Sequence, residues 1–164
     1  MAKVAGTATR TSLLERHQAA LADFETALEG LTPDELDRSA APGEWTVRQI
    51  IHHVADTEVI AGGRLRLILA QDGIRVPSYD QEELARSATP EARSVESSLA
   101  LVRVIHQANL DLLGALAPWS WNRAGVHEEI GRYSLEAWLE RRANHLTGHG
   151  DQIKRARGLR PASE

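Results

Sequence analysis

The chain has 164 residues, 42% of them hydrophobic and 26% charged, which is enough for one domain with a substantial hydrophobic core. The net charge of −4 argues against a nucleic-acid partner, and no apolar run approaches the roughly 18 residues that a membrane-spanning helix needs. Cysteine is absent, which excludes disulfides and thiolate metal sites. We therefore expect a cytoplasmic protein in which any metal is held by nitrogen and oxygen.

Capping signals followed by apolar residues at helical spacing predict two long helices in the N-terminal half. We expect residues 1–9 to be disordered. The first helix is predicted over residues 12–29 and opens with a capping-box pattern. The second is predicted over residues 47–71, and Thr46 with Gln49 supplies its capping box.

Two further long helices are predicted in the C-terminal half, after a short helix near residues 81–86. Thr89 and Pro90 open the third long helix, which Pro118 ends. Ser134 is the predicted N-cap of the last helix, whose C-terminal end is rich in basic residues.

No stretch of the sequence alternates between apolar and polar residues in the way of a β-strand, and there is no internal repeat. Four long amphipathic helices joined by two longer connections predict an all-α four-helix bundle. We expect this single domain to span residues 10–158, with residues 159–164 as a C-terminal tail.

The sequence His145-Leu-Thr-Gly-His149 is the main functional signal. Residues four apart on a helix are neighbours on one face, so these two imidazoles can reach one metal ion. Both lie on the apolar side of the predicted helix, where an unpartnered imidazole costs free energy. Gly148 and Gly150 flank His149, which indicates close approach of a backbone or a ligand at this turn.

A third ligand is expected from another helix, and His53 is the best candidate. The adjacent His52 projects about 100° away on a helix, so only one of the two can join the site. His53, His145 and His149 would leave an open fourth position, which is the catalytic pattern for zinc. The alternative is that the three are core histidines with hydrogen-bond partners.

Several other polar residues have competing interpretations. His17 and His106 lie on apolar stripes and are expected to be hydrogen-bonded core residues or pocket-lining groups. His127 is expected to be an exposed loop residue or to overhang the site. Asp56 either orients a histidine ring or is an exposed helix charge, and Trp45 is expected to anchor the core beside the second helix.

The sequence resembles the DinB/YfiT-like family of metalloenzymes over roughly residues 12–157. Its second helix matches the family pattern of Trp-Ser/Thr followed eight residues later by His, and its last helix matches His-x-x-x-His followed by Gln-Ile. The chain departs from the family at Gln49, where many members carry Glu, and at Gly62-Gly63. The matching segments are Trp45-Thr46, His53-Val54-Ala55-Asp56, Tyr79-Asp80, Gly131-Arg-Tyr133-Ser134-Leu135 and His145 to Ile153.

The resemblance implies a divalent ion (nickel, zinc or manganese) bound by three histidines. Some relatives are S-transferases or isomerases that use a low-molecular-weight thiol, mycothiol or bacillithiol. We therefore expect a metal-dependent enzyme acting on a small-molecule substrate, with Arg64 and Arg142 as candidates to hold carboxylates of the thiol. The alternatives are a metal-dependent hydrolase and a non-enzymatic bundle with a structural or sensing site. Family members often pair, so a homodimer is expected.

Overall fold

The computed structural model describes residues 7–159, with side chains from residue 9. Four long helices and one short helix account for most of these residues, and three short strands lie between them. No helix in this part of the chain is long and apolar enough to cross a membrane. The elements are α1 (Thr7–Thr26), α2 (Val47–Ala70), β1 (Arg75–Val76), α3 (Gln81–Ser87), α4 (Val95–Gly114), β2 (Ala124–His127), β3 (Gly131–Ser134) and α5 (Leu135–Ala156).

The four long helices form the predicted bundle. α1 packs along α5, α2 packs along α4, and α2 also contacts α5. Each helix buries its apolar stripe between the others, because only one face of an amphipathic helix can leave water. The largest fully buried side chains include Phe24, Ile50, Leu65, Trp138 and Leu146.

Side-chain caps fix where the two helices that carry the candidate site begin. Gln49 N–H donates to Thr46 Oγ1 at 3.2 Å, and Thr46 N–H donates to Gln49 Oε1 at 2.9 Å, so the predicted capping box of α2 is present. Ser134 Oγ accepts from Ala137 N–H at 3.2 Å, which confirms the predicted N-cap of α5. Each cap satisfies backbone donors that have no partner inside the helix.

Two predicted helix starts are wrong. α1 begins at Thr7 rather than Ser12, because tertiary contacts hold its first turns: Arg10 Nε donates to Glu136 Oε1 on α5 at 3.0 Å. Residues 1–6 of the expected disordered segment lie outside the described residues. After Thr89 the chain makes only a 3₁₀ turn, and α4 begins at Val95 with Ser94 as its cap.

Three short strands that the sequence did not predict accompany the bundle. β1 pairs in parallel with β2, and β2 forms an antiparallel hairpin with β3. These strands have two to four residues each, too few to show alternation in the sequence. The hairpin brings His127 to the side of the bundle where α2 and α5 meet.

Glycines allow close helix contacts at two positions. A Cβ at Gly62 would lie 3.2 Å from Ile105 Cγ2, and one at Gly150 would lie 3.3 Å from Phe24 Cα. Close approach of a backbone, one of the two expected reasons, therefore accounts for Gly150. A Cβ at Gly148 would meet nothing within 4 Å, and α2 runs unbroken through Gly62 and Gly63.

Candidate metal centre

The structure brings His53, His145 and His149 together between α2 and α5. His145 Nε2 lies 3.2 Å from His53 Nε2 and 3.2 Å from His149 Nε2. One ligand atom from each residue falls within 4.8 Å of the others. His145 and His149 are one turn apart on α5, and His53 faces them from α2 because these helices pack together. We call these three residues the histidine triad.

His52 does not belong to the triad. Its Nδ1 lies 2.8 Å from Ser98 Oγ on α4, so consecutive positions of α2 place one histidine towards α4 and the other towards α5. The prediction that only one of the pair can reach the site agrees with this arrangement.

The triad geometry fits a divalent ion. Two nitrogens bound tetrahedrally to one ion at about 2.1 Å lie roughly 3.4 Å apart, close to the observed 3.2 Å. Nitrogen donors of this type suit zinc and nickel better than manganese, which prefers oxygen ligands. Residues from facing helices of a bundle commonly form such sites.

Two of the triad rings have hydrogen-bond partners that define where the ring proton lies. His149 Nδ1 is 2.9 Å from Gln152 Oε1, which only accepts, so Nδ1 carries the proton and Nε2 has a free lone pair. His145 Nδ1 is 2.7 Å from Arg142 Nη2, which only donates. The neutral His145 ring therefore carries its proton on Nε2, and a metal would have to displace that proton.

A buried ion pair lies behind His145. Arg142 Nη2 is 2.9 Å from Glu58 Oε1, and the Glu58 side chain is fully buried. Arg142 was predicted to hold a carboxylate of the thiol, but its partner Glu58 was not predicted. Glu58 lies five residues after His53 on α2, and no local sequence pattern indicates that it pairs with a residue of α5. Gln152 follows His149 by three residues, a spacing that predicts contact on a helix.

The triad imidazoles are neutral at neutral pH. Burial lowers the pKa of His53 to about 3, assisted by the nearby His149 and Arg142. Burial likewise lowers the pKa of His145 and of His149 from the ordinary value of 6.5. Neutral imidazoles are the form that binds metals, so no proton on a cationic ring competes with an ion here.

Trp45 forms one wall of the triad rather than only anchoring the core. Its ring centroid lies 4.5 Å from that of His53 and 6.2 Å from that of His149, and the Trp45 ring is nearly parallel to the His149 ring. The indole Nε1 donates to Glu82 Oε2 on α3 at 3.0 Å, which holds the ring against the site. The sequence around Trp45 predicted a core anchor and carries no signal for this contact with the triad.

Two cavities of about 410 Å³ each flank the triad. Gln81 lines both, His145 lines only the first, and His53 and His149 line only the second. We call the first the arginine cavity, whose lining includes Arg64, Tyr79, His127, Tyr133, Arg141 and His145. We call the second the tryptophan cavity, whose lining includes Glu44, Trp45, His53, Glu82, His149 and Gln152.

The remaining candidates lie apart from the triad. His17 and His106 are fully buried with ring centroids 4.2 Å apart, and their four ring nitrogens have no hydrogen-bond partner among the described residues. The expectation of hydrogen-bonded core residues is therefore wrong for this pair. Asp56 pairs with Arg93 through two contacts of 2.7 Å and orients no histidine.

His127 is 7% exposed and lines the arginine cavity, so it is not an exposed loop residue. The sequence offered no signal for this position, because the hairpin that carries it was not predicted. Of the two tryptophans between α4 and β2, Trp121 is 7% exposed, whereas Trp119 is 64% exposed.

A four-helix bundle with three convergent histidines beside a cavity is the arrangement of a helical bundle that can bind a metal ion. The chain belongs to the DinB superfamily, whose family model matches residues 16–153. The expected family is thus confirmed.

Relatives and solved structures agree with this class. A protein of Oceanobacillus iheyensis named "Putative metal-dependent hydrolase OB0782" is 35% identical over 105 residues, which cover 64% of this chain and 60% of that protein. YfiT from Bacillus subtilis, described as "a probable metal-dependent hydrolase with an unusual four-helix bundle topology", superposes with a TM-score of 0.84 at 23% identity, covering 98% of this chain and 94% of YfiT. A mycothiol-dependent maleylpyruvate isomerase superposes with a TM-score of 0.70 at 15% identity, covering 88% of this chain and 60% of the isomerase.

Proposed function

We propose that the chain is a metal-dependent enzyme in which His53, His145 and His149 hold one divalent ion, zinc or nickel in preference to manganese. The convergence of three Nε2 atoms beside two cavities is the observation that carries this proposal. An ion bound there would make a thiol or a water molecule in its open fourth position more acidic and hence nucleophilic at neutral pH.

Two cavities on either side of the triad favour a reaction between two molecules. We assign the tryptophan cavity to a low-molecular-weight thiol and the arginine cavity to a small electrophilic substrate. In the transfer, the thiol loses its proton, its sulfur forms a bond to the electrophilic carbon, and the leaving group departs with its bonding electrons. The chain has no cysteine, so the thiol comes from outside.

Hydrolysis is the second candidate, since water can occupy the same fourth position. It is favoured by the names of relatives, one of which is called a metal-dependent hydrolase. The chain covers only 60% of that relative's length, so the relative's activity is transferred here only as a proposal.

A pair of assays separates the two candidates. Metal-loaded protein is incubated with 1-chloro-2,4-dinitrobenzene and a series of thiols, and separately with ester and amide substrates. We expect thiol-dependent loss of the electrophile that disappears in His149→Ala. Ester or amide cleavage without any thiol-dependent reaction would favour hydrolysis. Neither reaction, together with a lower melting temperature on metal removal, would favour a structural site.

We further propose a homodimer. Exposed apolar side chains on the outer faces of α2 and α4, such as Leu67 and Val104, are available for such a contact. Light scattering at micromolar concentrations should give twice the mass of one chain, and a monomer mass would reject this state.

A further inference from the structure

The two cavities differ in charge. Arg64, Arg141 and Arg142 line the arginine cavity against the single carboxylate of Glu129, and Glu58 neutralises Arg142 from behind. Glu44 and Glu82 line the tryptophan cavity, where no arginine or lysine is among the described lining residues. A positive cavity in a chain of net charge −4 favours an anionic ligand there.

The tyrosines of the arginine cavity also present hydrogen-bond donors. Burial raises the pKa of both the Tyr79 and the Tyr133 hydroxyl above the ordinary value of 10.0, so both stay protonated at neutral pH. The Arg64 guanidinium stacks on the Tyr79 ring at 5.1 Å and donates to the Pro77 carbonyl, which positions it at the cavity wall.

His127 adds a donor whose orientation is fixed by the β2–β3 hairpin. The backbone N–H of Glu129 donates to His127 Nδ1 at 3.2 Å, so the neutral ring carries its proton on Nε2. The ring packs edge-on against Tyr133 with centroids 5.8 Å apart. Nε2 has no hydrogen-bond partner among the described residues and is not one of their fully buried atoms, so it is available to a ligand in the cavity.

These groups lie close enough to act together. Burial lowers the pKa of His127, and the next causes include the positive charges of Arg64 and Arg141. The guanidiniums of Arg64 and Arg141 also act on Tyr133. Two cations and a neutral N–H donor thus face one volume beside the triad.

We propose that the arginine cavity binds a carboxylate of the substrate, held by Arg64, Arg141 and the Nε2–H of His127. This inference rests on the proposed function, since it assigns the class of the second molecule: a small electrophile that carries a carboxylate. Planar guanidiniums match the two oxygens of a carboxylate, and a neutral imidazole N–H donates to the same group. The carboxylate then directs the rest of the molecule towards His145, the triad member that lines this cavity.

Binding of succinate to the metal-loaded protein, measured by calorimetry, tests this assignment, with the uncharged succinamide as the matched ligand. Arg141→Gln removes an exposed cation of the cavity wall that forms no salt bridge with any described residue. Arg155→Gln removes an equally exposed arginine from the same helix outside the cavity. His127→Phe keeps the ring but removes the Nε2–H donor.

We expect succinate to bind in preference to succinamide, and Arg141→Gln and His127→Phe each to weaken binding roughly tenfold. Arg155→Gln should change the affinity less than twofold. Equal binding of the two ligands, no binding of either, or equal effects of Arg141→Gln and Arg155→Gln would overturn the assignment.

Two further measurements show whether the bound carboxylate belongs to the substrate, and whether the carboxylate site stands independently of the proposed reaction. Succinate binding should survive in metal-free His149→Ala, because that side chain lines the other cavity; its loss would place the carboxylate on the metal and overturn the subsite. If N-acetylcysteine binding depends on Arg141 more strongly than succinate binding does, the anion belongs to the thiol instead. Succinate binding through Arg141 without thiol-dependent turnover would retain the subsite while rejecting the proposed reaction.

Discussion

Two groups of buried or partly buried histidines lie in this bundle and differ in what their nitrogens face. In the triad, three Nε2 atoms converge, and the outer nitrogens of His145 and His149 contact Arg142 and Gln152. In the pair of His17 and His106, the rings contact each other, and no described residue bonds their nitrogens. The pair is buried at least as completely as the triad, so burial alone does not distinguish the two groups; the convergence of three nitrogens and the acceptor at Gln152 do.

The largest difference should appear in metal affinity. His149→Ala removes one of three ligands and should weaken zinc binding by about a thousandfold or more, since two nitrogens hold a divalent ion poorly. His106→Ala is the control on a buried histidine outside the triad and should leave the affinity within a few-fold. Competition with a chromophoric chelator measures both. Equal losses in the two variants would remove the distinction between triad and pair.

The pair should contribute to acid stability, in addition to the metal-free triad, whose pKa values burial also lowers. Burial, with the neighbouring partner ring and Arg142, lowers the pKa of His17 to about 3, while burial and Arg142 lower that of His106 to about 4; only Glu25, facing His106, opposes this shift. The unfolded chain protonates near 6.5 and so binds more protons, hence stability is present above pH 6.5 and declines as the pH falls towards 4. At pH 5 each of the two histidines should lower the free energy of unfolding by about 2 kcal/mol relative to its value above pH 6.5.

Replacing the pair by leucine tests this assignment. His17→Leu/His106→Leu should reduce the loss of unfolding free energy between pH 7 and pH 5, measured by urea denaturation of metal-free protein at each pH, and leave the part that comes from the triad. An unpartnered polar group exchanged for an apolar one of similar size costs little at pH 7. A variant as acid-sensitive as the parent would show that the acid sensitivity comes from other groups.

The outer partner of His149 should have an intermediate effect. Gln152→Leu removes the acceptor that fixes the Nδ1 proton and should weaken metal binding about 10- to 100-fold. Gln107→Leu, at an exposed glutamine of α4, is the control. Retention of full affinity in Gln152→Leu would mean that this hydrogen bond does not orient the ligand.

The glycines beside His149 should have the smallest effects, with opposite signs. Gly148→Ala adds a Cβ into open space and should stabilise the helix by about 1 kcal/mol. Gly150→Ala places its Cβ 3.3 Å from Phe24 Cα, so α1 must shift and the fold should lose about 1 kcal/mol. Thermal denaturation of both variants measures this. Lower metal affinity in Gly148→Ala would indicate that Gly148 contributes to metal binding.

The sequence predicted the parts of the molecule that follow from helical periodicity. The bundle, the caps at Thr46 and Ser134, and the choice of His53 over His52 all follow from one helix face and its start. The contact between Glu58 on α2 and Arg142 on α5 could not be predicted in this way, because two positions 84 residues apart share no local sequence pattern.

The arginine cavity was least predictable. It depends on His127, which is carried by a hairpin of two four-residue strands paired with the two-residue β1. Strands this short form through pairing and burial, as at Gly125, where a Cβ would lie 2.7 Å from Val76 Cγ2. Periodicity does not report such contacts.

The central claim is that the triad is a three-nitrogen metal site, and X-ray absorption at the metal edge tests it most directly. Protein loaded with one equivalent of zinc should show three imidazole ligands at about 2.0–2.1 Å and one further light ligand. His106→Ala should give the same spectrum, whereas His149→Ala should lose one imidazole or fail to retain the metal. A spectrum dominated by oxygen ligands, or one unchanged in His149→Ala, would contradict the account.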